Sequence, residues 1–479
     1  MELKVSKEKF VSIIIFIFTI LIELCIANEY SFDSRDSLMT YYSWVVVMNI
    51  VLEIIILKAC NERIISFFFF FVIFLYLFHF GQVLMEGIFV DYEYDYVNYI
   101  QYYMTNMESL QKSLNVSNLV TSFTFLGGLM ATNNKFEPYK SSNALSDIAD
   151  NEFIRLSVHS VAVLLCVGFL PFRLYIDVRQ IIAAIGQGYF GAINVSVPGI
   201  FDSFASIWYV ALILLYATTM NKKKKLYILL ATIVYLGIKM LTGNRGHETV
   251  VLVSMFIIII YQKGKMSLKK WLKYIVIVYV ALIALDLVYS FRVQGISYFL
   301  SNWKILVSET TSNNILLETI GTFGETLYTP YLMFEQISMG VLKTEFMGTF
   351  LKSIVSIIPD AFGIFSKIND AAILGKIIKT SHAIGGSYVA ELYYNFQGIY
   401  LLATTLLGMV WMKLSRRVEY AIQYERYDIL AYSLPWLVHL LWWTRDSVGN
   451  YTRNVLWQIL ITWIILSILR KRSDMYGNQ

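Results

Sequence analysis

Four arginines stand beside apolar stretches of this 479-residue chain: Arg245 in Gly243-Asn244-Arg245-Gly246, Arg292 in Phe291-Arg292-Val293-Gln294-Gly295, and Arg445 and Arg453 around the last short polar segment. A guanidinium keeps its charge at any physiological pH, and its planar fork matches pairs of phosphate oxygens. The glycines flanking Asn244-Arg245 permit a tight backbone turn. Taken singly, each arginine also reads as an interfacial anchor with an apolar stem and a head in water. Together they point to an anionic ligand.

Two carboxylates accompany them. Glu325 lies in Gly324-Glu325-Thr326-Leu327-Tyr328, and Glu391 lies within Gly385–Phe396, GGSYVAELYYNF. An ionisable group in an apolar helix is costly and is a functional candidate by default. Glu391 therefore has two readings, a proton-handling carboxylate or the ion-pair partner of an outer arginine. His382, just before the glycine pair, is the histidine placed for proton transfer. His79, His159 and His439 lie on apolar runs and read as satisfied interior residues. Tyr388, Tyr393, Tyr394 and Trp443 offer ring faces to a sugar or anchor helices. Asp91, Glu93 and Asp95 read as a solvated loop. No metalloprotease, P-loop or dinucleotide signature is present. Cys25, Cys60 and Cys166 lack ligand spacing. Neither a metal nor a cofactor is expected.

These residues need elements to hold them, and composition says which. The chain is 57% hydrophobic and only 15% charged, against roughly 25% charged in a soluble domain, and its mean hydropathy is +0.58. A net charge of +5 in short clusters leaves no basic face for nucleic acid. A bilayer core of about 30 Å needs roughly 20 apolar residues per helix. Nine runs are clear, at 10–27, 39–58, 63–84, 152–176, 199–220, 225–242, 247–262, 271–290 and 454–469. Two more, 387–412 and 427–444, carry polar residues, and 116–132 is rich in Ser and Thr.

Charge bias settles the last of these. Basic clusters at Lys4–Lys9, Lys58–Arg63, Lys222–Lys225, Lys263–Lys273, Arg416–Arg426 and Arg470–Arg472 fall on one side only if 116–132 also crosses. The expectation is an all-α, polytopic membrane bundle of about twelve transmembrane helices. It forms one integral membrane domain, 1–479, with both termini cytoplasmic and an uncleaved first helix. Residues 291–386 form a large extracytoplasmic loop, too long to be structureless. Residues 178–197 suit an interfacial helix.

The Gly243–Gly246 turn, Arg292, Glu325, Pro359, GGSYVAELYYNF, Arg445-Asp446 and Arg453 together resemble the bacterial O-antigen and capsule repeat-unit polymerases of the Wzy type. The resemblance covers about 225 to 457, and its most specific piece is Gly385–Phe396. Gln397 departs from it, standing where the family carries a small residue. The resemblance implies a GT-C-like glycosyltransferase fold in the bacterial cytoplasmic membrane. Its substrates are oligosaccharides linked to polyprenyl pyrophosphate, met among the membrane lipid, and a chain-length regulator is an implied partner protein. A growing glycan passes to the sugar hydroxyl of an incoming lipid-linked unit, and polyprenyl pyrophosphate leaves.

The residues suit that chemistry. Charge builds on the leaving pyrophosphate, so fixed cations lower the barrier, and Arg245, Arg292, Arg445 and Arg453 are the candidates. A carboxylate must take the acceptor's proton; Glu391 is the first choice and Glu325 the second. An O-antigen-ligase-like transferase would use the same donor and raise the importance of His382. A lipid-linked-oligosaccharide flippase is the alternative from another class, although related halves are not evident.

Overall fold

Backbone groups in hydrocarbon find no water, so apolar runs this long must become helices or a closed barrel. The computed structural model of the chain is helical in every regular element among the described residues. Those residues are 7–29, 32, 34–89, 103–132, 144–195, 197, 199–242, 246–264, 276, 279, 280, 282, 283, 287, 296–312, 314–355, 357 and 385–477.

The elements in chain order are α1 (Lys7–Glu29), α2 (Arg35–Ala59), α3 (Phe67–Gly87), α4 (Met107–Ala131), α5 (Ala144–Ile193), α6 (Gly199–Thr218), α7 (Lys222–Met240) and α8 (Gly246–Lys263). Then come α9 (Ile296–Ser312), α10 (Ile315–Phe323), a 3-10 turn (Gly324–Leu327), α11 (Tyr328–Ser338), α12 (Gly348–Val355) and α13 (Tyr388–Phe396). A second 3-10 turn (Gln397–Ile399) leads to α14 (Tyr400–Gln423), α15 (Tyr427–Trp443) and α16 (Val448–Gly477). Ser34, Ser66, Asn106, Asn221 and Ser387 start α2, α3, α4, α7 and α13, each side chain accepting from a backbone N–H of the first turn that no helical carbonyl can reach.

Nine helical stretches among the described residues are long and apolar enough to cross a membrane, which makes this a multi-pass membrane protein. The Ser- and Thr-rich stretch 116–132 is one of them, within α4. Two other expected spans also form helices: α7, opened by four lysines, and α15, of 17 residues with Pro435 inside. The expected span 271–290 falls almost wholly outside the described residues. One expectation changes. Residues 178–193 do not form a separate interfacial helix but continue α5, 50 residues long, until Gly188 breaks it at φ 61°. An Arg173–Asp177 pair four residues apart carries the helix through that point. The segment 291–386 is folded where it is described, holding α9 to α12.

The chain forms two compact units, each discontinuous in sequence. The first comprises Met1–Lys140, Ile320–Arg416 and Trp443–Arg453; the second comprises Ser141–Thr319, Arg417–Trp442 and Asn454–Gln479.

In the first unit α4 buries its polar face. Ser117, Asn118, Thr121, Ser122 and Thr124 are all buried, and the hydroxyls of Thr121 and Thr124 bond carbonyls one turn back. Small residues matter here because helices in lipid gain little from apolar burial and need close backbone approach. A Cβ on Gly127 would collide with the Thr405 carbonyl, and one on Gly408 with the Thr124 carbonyl. α4 and α14 therefore cross at reciprocal glycines.

In the second unit α5 packs along α6 through Phe169, Phe172, Phe201 and Phe204, with ring centroids 5.0–5.1 Å apart across the helices.

Gly127→Leu and Gly408→Leu should each force the crossing apart and cost most of the folded protein, since overpacking against backbone finds no room. Gly237→Ala, where nothing lies within 4 Å, should instead stabilise α7 by up to about 1 kcal/mol. Detergent-solubilised yield and unfolding temperature check all three.

Candidate functional site

The 3-10 turn Gly324–Leu327 carries Glu325, and two glycines seat it. A Cβ on Gly81 of α3 would strike the Ile320 carbonyl, and one on Gly324 would strike the Gln82 N–H. Only backbone against backbone fits, which fixes the turn on α3. Arg445 donates from Nη2 to Glu325 Oε2 at 3.3 Å. The two side chains are 34% and 20% exposed, so the pair can be reached from outside the unit.

α13 carries Glu391. Its cap, Ser387, accepts from Ala390 N at 3.2 Å and meets His79 Nε2 at 2.8 Å, while His79 Nδ1 lies 2.9 Å from the Leu75 carbonyl. A carbonyl only accepts, so Nδ1 carries the proton and Nε2 receives the Ser387 hydroxyl. His79 is thus a satisfied interior residue, as expected.

Just upstream, a Cβ on Gly385 would lie 3.2 Å from Arg445 Cγ and Nε, and a Cβ on Gly386 would collide with the Asp446 backbone. Thr329 of α11 donates to the Gly385 carbonyl at 2.7 Å. The glycine pair therefore threads between α11 and the Arg445-Asp446 turn.

Glu391 is fully buried, and its Oε2 accepts from Val448 N at 3.0 Å. Val448 is the first residue of α16, where unmatched N–H groups and the helix dipole favour an anion. Ser447 supplies the ordinary cap to Asn450 N at 3.2 Å. Asp446 accepts from Ser447 N and Asn450 Nδ2 at 2.7 and 2.8 Å, and Arg453 Nη2 donates to Asn450 Oδ1 at 2.9 Å. Behind this turn Trp443 stacks on Tyr451 at 4.7 Å and meets Tyr388 edge-on at 4.9 Å.

Glu325, Glu391, Arg445 and Arg453 therefore fall in one unit, brought together from three distant parts of the chain. Arg245, Arg292 and His382 lie outside the described residues, as do Gly243, Asn244, Pro359, Asp91, Glu93 and Asp95. Tyr388, Tyr394 and Trp443 are buried, as helix-anchoring rings are, and Tyr393 is partly exposed. Gln397 has φ 35°, the backbone that a glycine accepts more easily.

The second unit holds a constellation that the sequence reading passed over. Asp177 accepts from Arg173 Nε at 2.7 Å, pairs with Lys239 Nζ at 2.9 Å and accepts from the Tyr235 hydroxyl. Lys239 also donates to Gln180. Arg173 lies over the Tyr209 ring at 4.7 Å, and the Tyr209 hydroxyl donates to Glu248 at 3.0 Å. Arg173, Asp177, Lys239 and Glu248 are all buried. The available signal was the i,i+4 Arg–Asp spacing inside an apolar helix. Among the described residues no group of His, Cys, Asp and Glu is arranged to hold a metal ion.

A family model for O-antigen polysaccharide polymerase Wzy matches residues 9–475. No curated protein and no solved structure matches the chain.

Asp177→Asn should leave two buried cations without their anion, at a cost of roughly 3–5 kcal/mol. The unfolding temperature in detergent should drop accordingly, and adding Lys239→Met should recover part of it. Unchanged unfolding of the single variant would show that the network does not hold the unit.

Proposed function

The chain belongs to the O-antigen polysaccharide polymerase family, and from that premise we propose how its residues join lipid-linked oligosaccharide repeat units at the outer face of the bacterial cytoplasmic membrane. The carrier is polyprenyl pyrophosphate, and the product is O-antigen, capsule or exopolysaccharide. The observation that carries the reading is the reachable Glu325–Arg445 pair at 3.3 Å.

In the resting site the guanidinium is held by the carboxylate. Incoming pyrophosphate, with more charge and more acceptor oxygens, draws Arg445 to itself. Glu325 is then left to take the proton of the acceptor sugar's hydroxyl. That oxygen forms the new glycosidic bond at the anomeric carbon of the donor glycan. The old bond to pyrophosphate breaks, and polyprenyl pyrophosphate departs with the electron pair. Arg453, Arg245 and Arg292 add positive charge where the leaving group gains negative charge. His382 is the further candidate for proton transfer.

The geometry reorders the two carboxylates. Glu391, fully buried on the α16 N-terminus, suits the task of fixing the turn that bears Arg445 and Arg453. Glu325 is the one a substrate can meet. With twelve spans and both termini cytoplasmic, Glu325 and Arg445 face outward.

Cysteine labelling of intact cells tests the topology. Position 223 should be protected and position 340, exposed in the structure, labelled; a protected position 340 would remove the mechanism with the map.

Glu325→Gln should leave single repeat units, flipped outward and still transferable to their final anchor. Glu391→Gln should retain polymer, because an amide oxygen still accepts from Val448 N. Glycan gel profiles with outer-face labelling read both. Long chains from Glu325→Gln and none from Glu391→Gln would return the base to Glu391. Units trapped inside would indicate a flippase, and long unattached polymer a ligase.

A further inference from the structure

Glycosyl transfer also requires that a sugar ring be held flat near the reacting atoms. We propose that Tyr103 and Tyr328 form a stacking corner for a pyranose ring of the repeat unit, beside the Glu325–Arg445 pair; this rests on the polymerase reading.

Tyr328 opens α11 immediately after the turn that carries Glu325. They stand three positions apart, about one turn, so their side chains emerge as neighbours. The Tyr328 ring stacks on Tyr331 with centroids 6.0 Å apart and planes inclined by 13°. The Tyr103 ring meets Tyr328 edge to face at 6.0 Å and 61°. Two rings set at that angle make a corner, one floor and one wall.

Each ring is held from beneath. Tyr331 is fully buried; its hydroxyl accepts from Asn106 N at 3.1 Å and donates to Glu335 at 2.7 Å. Burial pushes that hydroxyl up to about 12, so it remains a donor throughout the physiological range. Asn106 also caps α4, accepting from Ser109 N at 3.0 Å. Arg35 holds the Met104 carbonyl at 2.8 Å and is itself held by Glu86 at 2.8 Å. Tyr103 thus stands just before a segment pinned at Met104 and Asn106. Tyr331 lies wholly inside, whereas Tyr103 and Tyr328 are partly exposed, as are Glu325 and Arg445.

The chemistry selects the occupant. One face of a pyranose is a patch of C–H groups with hydroxyls at its rim. Rigid aromatic faces meet such a patch, while a carboxylate and a guanidinium nearby bond the rim. Tyr388 and Trp443 are fully buried, whereas Tyr103 and Tyr328 keep partial exposure beside Glu325.

Purified full-length protein in lipid nanodiscs tests this, supplied with lipid-linked repeat units extracted from cells lacking the protein. Tyr328→Leu and Tyr103→Leu should each raise KM about tenfold, with kcat falling less than threefold and unfolding temperature close to wild type. Tyr328→Phe and Tyr328→Trp should bring KM back to within about threefold, because the ring and not the hydroxyl makes the contact. Unchanged KM in both Leu variants overturns the proposal. So does equal loss in the Phe and Leu variants of Tyr328, which would assign the effect to the hydroxyl. Wild-type protein that makes no polymer from these units would instead bring down the polymerase reading itself.

Discussion

The close passage of Gly385-Gly386 against Arg445-Asp446 is the contact on which the candidate site depends. No side chain fits between the Gly386 backbone and the Asp446 carbonyl, so α13 and the α15–α16 turn are locked in register. Everything nearby follows from that register. Glu391, in the first turn of α13, arrives at the first N–H of α16. Arg445 is presented to Glu325 from the other side of the same turn. A methyl group at Gly386 would separate these elements and misplace both carboxylates at once.

Charge in apolar surroundings is handled differently in the two units. In the first, the buried Glu391 carboxylate sits on the N-terminus of α16, whose N–H groups and dipole favour an anion, while Glu86 pairs with Arg35. In the second, Asp177 stands between Arg173 and Lys239, and Glu248 is tied in through Tyr209. That arrangement is closed among its own members. A buried charge with its partner removed costs several kcal/mol, so such a cluster ties α5, α6, α7 and α8 together. Lys239 and Glu248 stand on the helices that precede and follow residues 243–245 in sequence.

Polar residues on apolar helices proved ambiguous in sequence for a simple reason. Thr121 and Thr124 in α4 bond their own backbone one turn back and, with Ser117 and Ser122, are buried, so they lower the hydropathy of a span without exposing a hydroxyl to lipid. The same accounting explains the aromatics of Gly385–Phe396. Their abundance suggests a sugar-binding face, yet Tyr388 and Tyr394 turn inward to pack the helices, and only Tyr393 of the three tyrosines stays partly exposed.

What the sequence determined by itself is set by local physics. Long apolar runs force helices, because backbone groups in hydrocarbon can bond only to one another, and Ser or Asn at the start of a run fixes where several of them begin. The family match over residues 9–475 agrees with the motif reading drawn from Gly243–Gly246, Glu325 and GGSYVAELYYNF. Only the tertiary structure decided which carboxylate is partly exposed and which is buried. Glu325 and Glu391 are the same residue type in similar apolar settings, and their difference arises from partners 120 and 57 positions away. The Asp177 network escaped notice for the same reason: its members lie on four helices. Burial and ion pairing depend on which helices become neighbours, and hydropathy along the chain carries no record of that.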